Sequence, residues 1–81
     1  MTQEEIKSKV MPIVAKYLCK EESKINMTAD MYKEYEADSL DTIQIIMDVE
    51  CQFSISIRDS VVKAIRTPQD IIDEVQRHIL D

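Results

Sequence analysis

A chain of 81 residues has room for one small domain, expected to span residues 1–81, and its 44% hydrophobic content allows folding without metals or crosslinks. A formal net charge of −6 disfavours nucleic acid, whose phosphates an acidic surface repels, and points to basic protein surfaces as partners. The complete absence of glycine removes the phosphate-cradling loops and nucleophile elbows that depend on it.

A first helix is expected from Thr2, a suitable N-cap, with Glu4 and Glu5 in its first turn. Ile6, Val10, Ile13, Val14, Tyr17 and Leu18 recur at helical spacing. Pro12 stands inside this pattern, where it removes a backbone hydrogen bond and crowds the preceding turn. The expectation is a kink near Ser8–Pro12, or a helix that begins later.

Residues 19–37 read as a long connection, pinned by Ile25 and Met31. A second helix should run from Ser39 to Phe53, capped by the Asp38 carboxylate. After Ile55 and Ile57 a short helical turn is expected near Asp59–Lys63. The last helix opens at Thr67-Pro68-Gln69-Asp70, with Thr at the N-cap, Pro at the first helical position and an acid two residues on. Ile71, Ile72, Val75 and Ile79 supply its apolar stripe. The fold class is all-α: a small four-helix bundle, three main helices and a short one, with a long first loop.

The second helix carries two apolar stripes. At about 100° per residue, Thr42, Ile45, Ile46, Val49 and Phe53 share one side. Leu40, Ile43, Met47 and Cys51 share another, bordered by Asp41 and Asp48 on one edge and Glu50 on the other. Two readings stand. Either a small bundle buries a wide arc and the second stripe is core, or the stripe is a docking surface with a charged rim.

Acidity concentrates there. From Glu34 through Glu36, Asp38, Asp41 and Asp48 to Glu50 no base intervenes. A solvated face explains this run better than a cation site, and no His, Cys or Asp grouping has the spacing of a metal centre. Cys19 and Cys51 lie far apart and read as free thiols, and no apolar run is long enough to enter a membrane. The chain is expected to be a cytoplasmic monomer without membrane insertion.

Ser39 opens the second helix. As a nucleophile it needs a base, and the only histidine is His78, near the other end of the chain and better read as packing or solvated than as a ligand. Two roles remain: an ordinary helix-start serine, or a serine acted upon by another enzyme.

The run Ala37-Asp38-Ser39-Leu40-Asp41-Thr42-Ile43 resembles the modification motif of type II acyl carrier proteins. The similarity continues through Ile45, Met47, Glu50 and Phe53. It extends to Ile6, Val10, Ile13, Val14 and Leu18 in the first helix and to Ile57, Ile65 and Thr67 near the end. The resemblance implies that Ser39 receives 4′-phosphopantetheine from coenzyme A through a magnesium-dependent phosphopantetheinyl transferase. The arm's thiol would hold acyl groups as thioesters, and the chain itself would not be an enzyme. By position, Asp38, Leu40, Asp41, Ile43, Met47, Asp48 and Glu50 would dock the basic surfaces of acyl-chain synthases, transferases or ligases, with Ile57 and Asp59 near the cavity mouth. The resemblance tips the second stripe toward docking. The pathway implied is fatty-acid synthesis or a related polyketide or specialised lipid route. Other classes to weigh are a non-carrier acidic interaction subunit and a peptidyl or aminoacyl carrier.

The sequence departs from the resemblance at several places. Glu36 stands where the family usually has Gly, and Tyr35 where it usually has Leu. Gln44 and Cys51 replace acids of the docking helix, and Asp48 adds one. Lys63 and Arg66 add positive charge near the short helix. A positive φ at Glu36 would strain it or force the loop into another shape.

Overall fold

The computed structural model describes residues 1–79, so Leu80 and Asp81 of the expected domain lie outside the described residues. Five α-helices follow in order: α1 Gln3–Leu18, α2 Met31–Glu34, α3 Ser39–Phe53, α4 Asp59–Ala64 and α5 Pro68–Ile79. A 3₁₀ turn at Glu22–Lys24 lies between α1 and α2. No strand occurs among the described residues.

Each long helix starts where its local chemistry satisfies the free backbone donors. Thr2 and Glu5 form a reciprocal capping box on α1, and Asp38 and Asp41 form one on α3. At α5, the Asp70 N–H donates to the Thr67 hydroxyl at 3.0 Å, while Asp70 Oδ2 accepts from the N–H groups of Arg66 and Thr67.

The core is the meeting of three apolar stripes. Ile6, Val10 and Val14 from α1, Ile45 and Val49 from α3, and Ile71 and Val75 from α5 have no exposed surface. α1 packs against both α3 and α5, and α4 leans on α3. Phe53, expected in the core stripe, is half-buried because it stands at the open end of α3.

Two expectations need correction. α1 is continuous through Pro12 and does not begin later. Ser8 and Pro12 are both exposed, so the carbonyl that loses its partner is open to water. The 19–37 connection is also less irregular than expected, since it contains α2. Asp30 caps that helix, accepting from the N–H groups of Tyr32 and Lys33. The pins are as expected: Met31 is fully buried and Ile25 nearly so.

The connection is tied across the bundle. The Met31 N–H donates to the Arg66 carbonyl at 2.7 Å, and the Arg66 guanidinium donates to Asp30 Oδ2 at 2.7 Å. That bond holds the Asp30 carboxyl below its ordinary pKa. Arg66 also stands over the Tyr32 ring at 5.0 Å.

With no glycine available, Cys19, Glu36 and Ser54 take left-handed backbone at φ 56°, 56° and 55°. Cys19 and Ser54 close α1 and α3. Glu36 reverses the chain between α2 and α3, so that the Ala37 N–H reaches the Met31 carbonyl at 3.1 Å. The positive φ foreseen at Glu36 is thus present, and a non-glycine residue takes it. A side chain in this region costs about 1–2 kcal/mol, and glycine returns part of that gain through unfolded-state entropy. Glu36→Gly is therefore expected to stabilise the protein by roughly 0.5–1 kcal/mol, seen as a higher urea midpoint at unchanged slope.

Candidate functional site

The site is built on the first turn of α3. Asp38 Oδ1 accepts from the Asp41 N–H at 2.8 Å, and Asp41 Oδ2 accepts from the Asp38 N–H at 3.2 Å. The Thr42 hydroxyl donates to the Asp38 carbonyl at 3.3 Å. These bonds fix the residue between them, Ser39, at the first helical position. Ser39 is exposed, and its hydroxyl has no hydrogen-bond partner among the described residues.

No histidine lines the cleft beside Ser39 among the described residues. His78 lies on α5 and its Nε2 is 2.9 Å from Glu74 Oε2. Glu74 is the buried member of the pair, and His78 is exposed. Among the described residues no group of three His, Cys, Asp or Glu side chains is placed to hold a metal ion.

Ser39 opens onto a cleft of about 460 Å³ between α2, α3 and α4, lined by Tyr32, Ser39, Thr42, Ile43, Asp59, Val62 and Lys63. A second cleft of about 200 Å³ follows the α3–α4 seam and shares Ile43, Asp59 and Val62 with the first. Its further walls include Ile46, Met47, Glu50 and Ile57.

The second stripe of α3 is not core. Leu40 and Met47 are each 60% exposed and Ile43 is 46% exposed. Cys51 is exposed as well. α1 and α5 cover the first stripe, and α4, only 6 residues long, leaves the second uncovered.

The rim acids also hold the bundle together. Asp48 Oδ2 accepts from the Tyr17 hydroxyl at 2.8 Å, a bond that raises the phenol's pKa and joins α1 to α3. Glu50 Oε2 accepts from the Ile57 N–H at 2.7 Å and so fastens the approach to α4. Ile57 is 6% exposed and lines the second cleft together with Asp59. It packs under the α3–α4 seam and supports the surface from beneath. Asp59, at the start of α4, is exposed and lines both clefts.

Sequence reasoning named Ser39, the stripe and its rim. It missed Tyr32 and Val62 as cleft walls, and it took Lys63 only as added charge. No local pattern marks these residues, because their meeting depends on how α2 and α4 pack against α3.

An exposed serine at a capped helix start, a cleft and an uncovered apolar stripe thus adjoin one another along α3. The family model for the phosphopantetheine attachment site matches residues 8–75. The chain is 36% identical over 78 residues to an acyl carrier protein of Cyanidioschyzon merolae, covering 96% of this chain and 86% of that one. It is 34% identical over 79 residues to one from Thermosynechococcus vestitus, covering 98% of each. It is 36% identical over 78 residues to one from Rubrobacter xylanophilus, covering 96% of each. The chain belongs to the phosphopantetheine attachment family and, within it, to the acyl carrier proteins.

It carries acyl groups as thioesters on covalently attached 4′-phosphopantetheine, and the family's role is carriage rather than catalysis. The residues present fit that group: a free hydroxyl at a capped helix start adjoins a cleft with both apolar and polar walls. The bound group supplies the thiol. The chain supplies the attachment point and the cleft walls.

Proposed function

We propose that Ser39 carries the arm and that the exposed stripe of α3 is the face by which separate enzymes recognise the protein. The observation that carries this reading is the placement of Ser39. It is the first residue of α3, it has a free hydroxyl, and Leu40, Ile43 and Met47 follow it along the same exposed side. Apolar anchors inside an acidic rim of Asp38, Asp41, Asp48 and Glu50 match a basic partner with an apolar centre. The partners in this reading are a phosphopantetheinyl transferase and the basic surfaces of acyl-chain synthases, transferases or ligases. They serve fatty-acid synthesis or a related polyketide or specialised lipid route. Cys19 and Cys51 are exposed free thiols, which suits a monomer working in a reducing compartment such as the cytoplasm.

The test is the rate at which a transferase modifies the protein as salt is varied. Asp48→Lys reverses a rim charge without touching the capping box of Ser39. At low ionic strength kcat/KM is expected to fall by roughly three- to tenfold, because rim charges act mainly on encounter. The gap should narrow as the Debye length shrinks to about 3 Å near 1 M salt. A rate ratio that is unity at every salt concentration, in a variant that melts cooperatively, contradicts electrostatic docking at this rim.

A further inference from the structure

We propose that Lys63 breaks the acidic rim beside Ser39 and selects a protein partner that sets a carboxylate against it, disfavouring partners whose basic face runs unbroken to the serine. This deepens the docking reading above and rests on it. Ser39, Ile43 and Lys63 line one cleft, and Ile43 is also an exposed anchor of the α3 stripe. A partner that reaches Ser39 and covers Ile43 therefore comes over Lys63 as well.

The charges along the α3–α4 seam are ordered. On α3, Asp38 and Asp41 stand at the Ser39 end, and Asp48 and Glu50 follow toward the other end. On the α4 wall, Asp59 and Lys63 have opposite signs and stand about 6 Å apart along the helix. Asp59 lines both clefts, whereas Lys63 lines only the one that holds Ser39. Asp59 thus continues the acidic rim, and Lys63 is the base that interrupts it.

The chain does not neutralise that base. Lys63 is exposed and forms no ion pair among the described residues, with Asp59 or any other acid. Asp38 and Asp41 each commit a carboxylate oxygen to the capping box. Arg66 is engaged by Asp30 and stands over Tyr32, and Arg58 and Lys33 line neither cleft. Covering an ammonium costs free energy unless a carboxylate meets it, and a base set against it adds repulsion. The α3 acids attract any basic surface without fixing its register. The Asp59–Lys63 order fixes it: a base opposite Asp59 and a carboxylate one turn away opposite Lys63 satisfy both, and a uniformly basic face does not.

The probe is a broad-specificity phosphopantetheinyl transferase with a uniformly basic carrier-facing surface, supplied with coenzyme A and magnesium. At low ionic strength kcat/KM should rise roughly two- to fivefold from wild type to Lys63→Glu, with Lys63→Gln between. The differences should close near 1 M salt. Each carrier-facing Lys or Arg of the transferase is then reversed to Glu in turn. One reversal should speed modification of wild type and slow that of Lys63→Glu. Equal low-salt rates for all three carriers, or a slower Lys63→Gln that melts like wild type, overturn the selection by Lys63. Reversals that all slow wild type and Lys63→Glu alike overturn the carboxylate partner. Asp48→Lys separates the two readings: if it slows modification while the Lys63 variants match wild type, rim docking stands and the role of Lys63 falls. If neither position responds, the docking reading falls with it. Lys63→Glu puts an acid in the last turn of α4, so melting curves accompany every rate, and Lys63→Gln carries the test where Lys63→Glu melts lower.

Discussion

Ser39→Ala protein is expected to gain no mass when incubated with coenzyme A, magnesium and a broad-specificity phosphopantetheinyl transferase, while wild type gains one phosphopantetheine. The effect is all-or-none because the transfer joins phosphorus to the serine oxygen, and alanine has none. It is also separable from folding. The Ser39 side chain is exposed and makes no hydrogen bond among the described residues, so its removal should change stability by no more than about 0.5 kcal/mol. The capping box belongs to Asp38 and Asp41 and survives the substitution. Intact mass beside a melting curve checks both parts. A variant that melts normally and still takes up an arm places the attachment elsewhere.

Met31→Ala should have the largest effect on stability outside the helix stripes. Met31 is fully buried, its N–H donates to Arg66, and its carbonyl accepts from Tyr35 and Ala37. It anchors α2 and the turn into α3 together. Truncating a buried methionine costs about 2–4 kcal/mol, through lost burial and the cavity left behind. A domain of this length has roughly 4–12 kcal/mol in total, so the loss is a large fraction. The backbone bonds remain possible in the variant, but they no longer rest on a filled core. The urea midpoint should fall steeply, and amide exchange should rise first in residues 26–37. A loss below about 0.5 kcal/mol would show that the connection is held by its hydrogen bonds alone.

Local signals were the legible part of this fold. Thr2 with Glu5, Asp38 with Asp41, and Thr67 with Asp70 mark the starts of α1, α3 and α5 within four residues of sequence. The α3 bounds follow directly, because the capping box and the apolar period agree. Pro12 does not delay the start of α1, because the Thr2–Glu5 capping box begins the helix well before it. α2 escaped notice because one turn of helix has no period to read, although Asp30 was a visible cap.

The site was legible in its parts and hidden in its assembly. Helical spacing gave the direction of Leu40, Ile43 and Met47 around α3 but not their depth. Depth depends on the length of α4, which is too short to cover them. Tyr17 with Asp48 and Glu50 with Ile57 join residues far apart in the chain, and no spacing rule connects them. The Asp48 and Glu50 carboxylates thus serve the fold as well as the rim. Gln44 and Cys51 are exposed and uncharged, so acids do not fill the outer face of α3.

The positive φ at Glu36 shows the same division. The resemblance marked the position, and the geometry shows a glutamate in left-handed backbone there. The turn leads directly into the helix start that holds Ser39, so the strain is stored next to the proposed attachment point.

The most direct measurement loads the protein and then asks what bond holds the load. Wild type is incubated with a medium-chain acyl-coenzyme A, magnesium and the transferase, and its intact mass is taken before and after neutral hydroxylamine. The account requires a gain of one acyl-phosphopantetheine, loss of the acyl group alone on treatment, and an arm located by fragmentation on Ser39. An unchanged mass, a load that hydroxylamine leaves in place, or an arm on a peptide lacking Ser39 would contradict it.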